Sequence, residues 1–192
     1  MHTIDMPAGE TYLQPIEHPR GVIMKLVYAM TRRRFGKVLT PVKVHSARLP
    51  VAFGRFYGSI SGLDRRLTLP AETVMLVREQ VARINVCTFC MDIGRWFSVK
   101  ASMDQTKFDA LADYATHPAF SKKERALLDY VTALVRDKMV DRATFDRLAA
   151  DYSERETCEI VWVVASEHVY NMTNIGLNIH SDMLCDVSRA RT

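Results

Sequence analysis

Glycine and proline are scarce in this chain of 192 residues, at 8 and 7, and six of the prolines fall at or before residue 70. An all-β sandwich or barrel needs turn residues every ~8–12 positions, and the second half of the chain lacks them. Long apolar runs are missing as well. The stretch from Val22 to Met30 falls short of the ~20 residues that span a bilayer, and the first twenty residues hold no apolar core of a secretory signal. A cytoplasmic protein with no membrane partner is the expectation. Positive charge exceeds negative by only 4. Apart from Arg32-Arg33-Arg34 the surplus is scattered, so the basic stripe of a nucleic-acid binder is absent and no nucleic-acid partner is expected. Cysteine is limited to four residues, too few for a disulfide scaffold in a reducing compartment. Cys158 and Cys185 stand 27 positions apart with no ligand partner nearby. A structural zinc site, which wants a second C-x-x-C or an H-x₃₋₅-H, is not expected. Neither a metal nor an organic cofactor is called for. No internal repeat and no low-complexity segment interrupts the chain.

What remains is a helical protein. Hydrophobic residues make up 48% of the sequence, enough to bury a core. The expected organisation is an irregular arm over 1–20, one helical domain over 21–180 and a fraying tail over 181–192. In an oligomer such an arm often lies on a neighbour. Val22 to Phe35 reads as a helix closed by Gly36. Pro41 and Pro50 punctuate a connection, and a helix follows to about Ile60, interrupted by Gly58 and Gly62. Pro70 and Glu72 suit a helix start, after which Val74, Val77, Val81 and Ile84 form one stripe. A second helix begins near Cys87 and runs to about Lys100. Ser102 with Gln105, Ser121 with Glu124, and Ser153 with Glu156 each have capping-box spacing. They predict helices at about 103–115, 122–137 and 154–178, with Asp141 capping a short one at 142–151.

Cys87-Thr88-Phe89-Cys90 sits at a predicted helix start. Unpaired N–H groups there favour a thiolate, and the second cysteine lies within one turn, ready to close a disulfide. Arg95 adds positive charge a turn further on. The bland alternative is core packing, because a buried free cysteine behaves as a small hydrophobe. A thioredoxin fold would place the pair after a strand, and the preceding segment reads as helix.

The run Leu69-Pro70-Ala71 … Ala82-Arg83-Ile84-Asn85-Val86-Cys87-Thr88-Phe89-Cys90-Met91-Asp92-Ile93 resembles the core of the carboxymuconolactone decarboxylase family, which includes the alkylhydroperoxidase D-like proteins. Phe120 to Leu128, Tyr152 to Glu156, and Tyr170-Asn171-Met172-Thr173-Asn174 resemble its later helices, so the likeness covers about residues 40–180. It implies an all-α helical bundle that assembles into a homo-oligomer. By the same resemblance, redox members place a glutamate twelve residues before the first cysteine and a histidine four after the second. Those slots are Met75 and Gly94 here, and a further histidine slot is Phe89.

Both sulfurs are kept while the relay that the resemblance implies is changed, so a thiol enzyme here needs substitutes among nearby residues. Glu79 lies one helical turn after Met75, on the same side of its helix. Asp92 lies within the first turn after the pair. His168 shares a stripe with Val161, Ala165, Met172 and Ile175, with Cys158 one turn earlier. Their bland readings are a half-exposed helix charge, a helix-start aspartate and a hydrogen-bonded core histidine. His117 and His180 read as helix-end residues, and Trp96, Phe97 and Trp162 as core or subunit-interface aromatics. The expected catalytic set is Cys90, Cys87, Glu79 and His168. The resemblance implies that Cys90 attacks a hydroperoxide or other small organic substrate, that Cys87 resolves the sulfenic acid, and that an external dithiol restores the pair. A catalytically silent, oligomeric binding or redox-sensing protein on the same fold is the alternative. Lactone decarboxylation ranks third, since that branch does not rely on a cysteine pair.

Overall fold

The computed structural model describes residues 9–185; the first part of the arm, 1–8, and the last part of the tail, 186–192, lie outside the described residues. Every regular element among the described residues is helical. In chain order they are α1 (Val22–Phe35), a π-helical turn (Val42–Ser46), α2 (Pro50–Asp64), α3 (Ala71–Ile84), α4 (Thr88–Lys100), α5 (Gln105–Asp109), a 3₁₀ turn (Leu111–Asp113), α6 (Lys122–Thr132), a second π turn (Ala133–Asp137), α7 (Arg142–Ala149) and α8 (Glu154–Ile175). No described helix is long and apolar enough to cross a membrane.

α3 is central, packing against α4, α6 and α8. The stripe that predicted it supplies Val77 and Val81, which meet Leu127 and Val131 of α6, Leu148 of α7 and Ile160, Val163 and Val164 of α8. Each such side chain contributes about 1.5–3 kcal/mol when fully withdrawn from water. Both later capping boxes form. Ser121 and Ser153 accept from the backbone N–H of Glu124 and Glu156, and each glutamate returns the bond.

The boundaries differ from expectation where local chemistry had two uses. Gly58 and Gly62 do not interrupt α2, which runs on to Asp64. Ser102 does not cap the next helix. It takes a left-handed conformation (φ 54°) that ends α4, and Asp104 caps α5 instead, accepting from Thr106 N–H. The connection between Pro41 and Pro50 contains the first π turn, a form found disproportionately at functional sites.

Both ends of the described chain are tied to the body. Tyr12 N–H donates to the Leu177 carbonyl, Ile16 N–H to the Lys43 carbonyl, and Arg48 donates to the Gln14 carbonyl. The described part of the arm therefore lies on its own π turn and on the end of α8. At the other terminus Asp182 accepts from Thr40 N–H and Oγ1, Leu184 is fully buried, and Leu184 N–H donates to the Asp92 carboxylate. Asp92 thus anchors the segment read as the start of a fraying tail.

Candidate functional site

The cysteine pair is positioned by a turn with little freedom. α3 closes in a Schellman arrangement: Cys87 N–H donates to the Ala82 carbonyl at 2.9 Å and Val86 N–H to the Arg83 carbonyl at 3.1 Å. The residue between must be left-handed, and here it is Val86 at φ 57°. A β-branched residue there is strained, a condition that clusters at functional sites. Cys87 is consequently the N-cap of α4, and its Sγ accepts from Cys90 N–H at 3.3 Å. The two cysteines form a disulfide with Cα atoms 5.2 Å apart. Cys87 is 1% exposed and Cys90 5%.

Glu79 is buried on α3, against α4. A Cβ built on Gly94 would lie 2.7 Å from Glu79 Oε2 and 3.8 Å from Met75 Cε. The absence of a side chain at 94 is therefore what makes room for this carboxylate, at the position where the resemblance puts a histidine. Glu79 Oε2 has no hydrogen-bond partner. Burial, reinforced by the nearby Glu167 carboxylate, pushes its pKa from 4.5 to about 8 against the pull of Arg83 and Arg95. At neutral pH it is a largely uncharged acid.

His168 is turned to a different task. Its Nδ1 lies 3.0 Å from Asn85 Nδ2, which also donates to Asn171 Oδ1 at 2.8 Å. Burial lowers its pKa, with Lys138 adding to the effect. The stripe it shares looks outward, since Cys158, Val161 and Met172 are exposed. The buried face of α8 instead carries Glu167, Asn171 and Asn174 among its apolar residues. Arg95 pairs with Asp109.

Two residues that sequence reading passed over stand beside the pair. Asn174 Nδ2 donates to Cys90 Sγ at 3.5 Å. The residue is 3% exposed, and its Oδ1 has no hydrogen-bond partner. His45, on the first π turn, lies next to the Asn174 amide and is stacked on Phe53 with ring centroids 4.1 Å apart. Its Nδ1 is 3.2 Å from Ser46 Oγ and its Nε2 3.5 Å from Tyr57 Oη. Burial drives its pKa from 6.5 down to about 4, opposed only by Asn174. The available signals were a histidine inside a Pro-bounded connection and an asparagine in a predicted apolar helix. Neither has a spacing that points to cysteine. Among the described residues no cluster of His, Cys, Asp or Glu has the makings of a metal site.

No protein-family model matches the chain. The uncharacterised protein YnjA of Escherichia coli (strain K12) is 29% identical over 164 residues, covering 84% of this chain and 89% of its own. A variant of the debrominase Bmp8 in complex with 2,3,4-tribromopyrrole superposes with a TM-score of 0.75 at 19% identity, over 95% of this chain and 97% of that one. The alkylhydroperoxidase AhpD core of an uncharacterised peroxidase-related protein from Ralstonia eutropha JMP134 gives a TM-score of 0.66 at 15% identity, over 85% and 88%. The chain has the alkylhydroperoxidase D-like helical fold, with a cysteine pair at the start of α4.

Proposed function

We propose that the protein is a thiol–disulfide oxidoreductase that reduces hydroperoxides through Cys90 and Cys87. The observation that carries the reading is the disulfide at the N-terminus of α4, with one sulfur receiving an amide N–H and an uncharged buried acid on the neighbouring helix. In the reduced protein the Cys90 thiolate attacks the terminal peroxide oxygen. The O–O bond breaks, the alkoxide takes a proton and leaves as alcohol, and Cys90 becomes a sulfenic acid. Cys87 displaces its oxygen as water and closes the disulfide, which an external dithiol then reduces by exchange. Glu79 is the candidate proton donor, and His168, whose Nδ1 lies 3.0 Å from Asn85 Nδ2, is the second candidate. No metal or organic cofactor enters the scheme.

The test is consumption of an organic hydroperoxide with a generic dithiol. Wild type should turn over, and Cys90→Ser should abolish turnover. Equal rates in both would overturn the reading. A brominated pyrrole belongs in the same assay, because a dithiol also supplies the two electrons of reductive debromination and Bmp8 shares the fold. The specific observation favouring a silent or redox-sensing protein is that the resemblance's relay positions are Met75 and Gly94. Reversible Cys87–Cys90 oxidation without turnover of any peroxide would select that alternative. We also propose a homo-oligomer, from the exposed Val22, Ile23, Leu26 and Met30 of α1 and Val51, Phe56 and Leu63 of α2. Light scattering showing only a 21.9 kDa species at micromolar concentration would overturn that.

A further inference from the structure

We propose that Asn174 is a positioning residue that holds Cys90 as a thiolate, and that His45 is the base that keeps the proton when the pair is reduced. The proposal rests on Cys87 and Cys90 being the redox pair, but not on which substrate they reduce.

The geometry is asymmetric in an informative way. Asn174 directs its one protein-bound N–H at Cys90 Sγ, while its carbonyl oxygen is buried without a partner. Buried polar atoms are nearly always satisfied, so an orphan calls for a state in which it is not one. His45 supplies that state. A ring with both nitrogens protonated has one more donor than a neutral one, and the Asn174 side chain is the group that favours the charged ring. Protonated His45 would donate to Asn174 Oδ1, and the amide so fixed would present its N–H to sulfur. In the disulfide form no anion sits at the far side of the amide, and burial keeps His45 neutral. Once the disulfide is reduced, a Cys90 thiolate places negative charge one amide away. The thiol proton then moves to the imidazole, leaving an imidazolium and a thiolate bridged by Asn174 with no net change in buried charge.

Other groups facing His45 do not compete for this role. From α2, Tyr57 approaches with a phenol whose pKa burial raises, so it stays neutral, and Tyr170 of α8 packs behind it with its own value pushed up to about 12. On the π turn and just after it, Lys43 pairs with Glu17, and Arg48 donates to the Gln14 carbonyl. On α3, packed against Gly94 of the helix that carries Cys90, Glu79 is largely uncharged below about pH 8. The arm holds the assembly in register: it bonds to Lys43 on the His45 turn and to Leu177 just past Asn174.

The experiment follows Cys90 alkylation against pH in the reduced protein, read by mass on the Cys90 peptide so that Cys87, Cys158 and Cys185 do not interfere. Wild type should show a Cys90 pKa below the ordinary ~8.5 of a free cysteine. Asn174→Ala should raise it by about one unit, giving roughly tenfold less thiolate at pH 7. Asn174→Asp, which keeps the shape and removes the donor, should raise it at least as far. His45→Phe should raise it in the Asn174 background of the wild type and add nothing further in Asn174→Ala. An unchanged Cys90 profile in both Asn174 variants overturns the proposal. So does a His45→Phe shift that persists undiminished without Asn174. A measurement on the unaltered chain stands independent of any folding defect: the His45 imidazole, followed by NMR, should titrate at least one unit higher in the reduced protein than in the disulfide form, because linkage is reciprocal. Equal values in the two forms overturn it as well. Absence of peroxide turnover with these thiol signatures intact would remove the peroxidase reading and leave the Asn174 assignment standing.

Discussion

α3 and α8 run side by side, and the two halves of their contact are built on opposite terms. In the first half every buried charge is matched. Glu159 accepts from Thr68 N–H, Leu69 N–H and Arg155, and Arg78 bridges Glu167 at 2.8 Å and Asp64 at 2.7 Å. Trp162 Nε1 donates to the remaining Asp64 oxygen. Toward the cysteine pair the pattern reverses. Of the five buried side-chain atoms without a partner among the described residues, one belongs to Thr88, between the two cysteines, one to Asn174, which donates to Cys90 Sγ, and one to Glu79, packed against Gly94 one turn beyond Cys90. The strained Val86 is there too. Local rules hold in the first half and fail around the disulfide, the distribution expected when a fold supports a site.

The largest expected effect tests the matched half. Arg78→Met leaves Glu167 and Asp64 without their shared cation in a buried seam. Removing one partner of a buried pair costs about 3–5 kcal/mol, and denaturant unfolding at pH 7 should show a loss of that order. Cys90 alkylation should barely change. A loss under ~1 kcal/mol would place Arg78 among the weakly coupled surface pairs and dissolve the contrast.

Next in size is Glu79→Gln, which tests the unmatched half. Because the folded pKa is raised, the folded chain keeps a proton that the unfolded chain gives up above about 4.5. That difference weakens the wild type progressively from pH 4.5 to about 8, after which the penalty is constant. At about 1.4 kcal/mol per unit, and allowing for relaxation of the site, the glutamine variant should be more stable than wild type by ~2–4 kcal/mol at alkaline pH. Near pH 4 the two should converge. Parallel stability curves across this window would mean that Glu79 titrates normally and that its burial costs nothing.

How much of this was legible beforehand follows from what each element depends on. α6 and α8 announce themselves through Ser121–Glu124 and Ser153–Glu156, because a capping box is a local reciprocal bond written in four residues. The cysteine turn was legible for the same reason. Glu79 was reachable by helical spacing, but its fit against Gly94 was not, since that contact joins two helices across the pair. The buried face of α8 departs from the apolar stripe because polar residues there are buried: Glu167, Asn171 and Asn174 point inward while Val161 and Met172 point out. Periodicity assumes that the inner face is the apolar one. His45 lies in a π turn, which has no sequence signature, and about 130 residues from the asparagine it meets.

Gly94→Ala sharpens the comparison at intermediate size. In an exposed helix the change gains about 1 kcal/mol from propensity. Here the added methyl meets Glu79 Oε2 at 2.7 Å, and overpacking of this kind costs ~1–3 kcal/mol. The expected net result is a loss of about 1 kcal/mol, turning into a gain of similar size in a Glu79→Ala background. The same sign in both backgrounds would show that the carboxylate is free to swing aside.

The smallest effect concerns the turn itself, and it is best read against a control within the same chain. Val86 and Ser102 both occupy the left-handed position that closes a helix, α3 and α4 respectively, at φ 57° and 54°. An L-residue there costs roughly 1–2 kcal/mol relative to glycine, while glycine gives back about 0.5–1 kcal/mol through the wider freedom of the unfolded chain. Val86 belongs to none of the buried apolar clusters, so little packing is lost with its side chain. Val86→Gly and Ser102→Gly should therefore each stabilise the fold by about 0.5–1 kcal/mol, with Val86 at the upper end because β-branching worsens the strain. Reactivity should separate them. Ser102→Gly leaves the cysteine pair untouched, and its alkylation profile should superimpose on wild type. Val86→Gly frees the peptide that sets Cys87 as the cap of α4, so the reduced pair should lose part of its fixed geometry and reoxidise more slowly, by about twofold to fivefold. Identical reoxidation rates in the two variants would make Val86 a strained residue with no bearing on the site, and the clustering of strain with unpaired polar atoms would then be a coincidence of the turn.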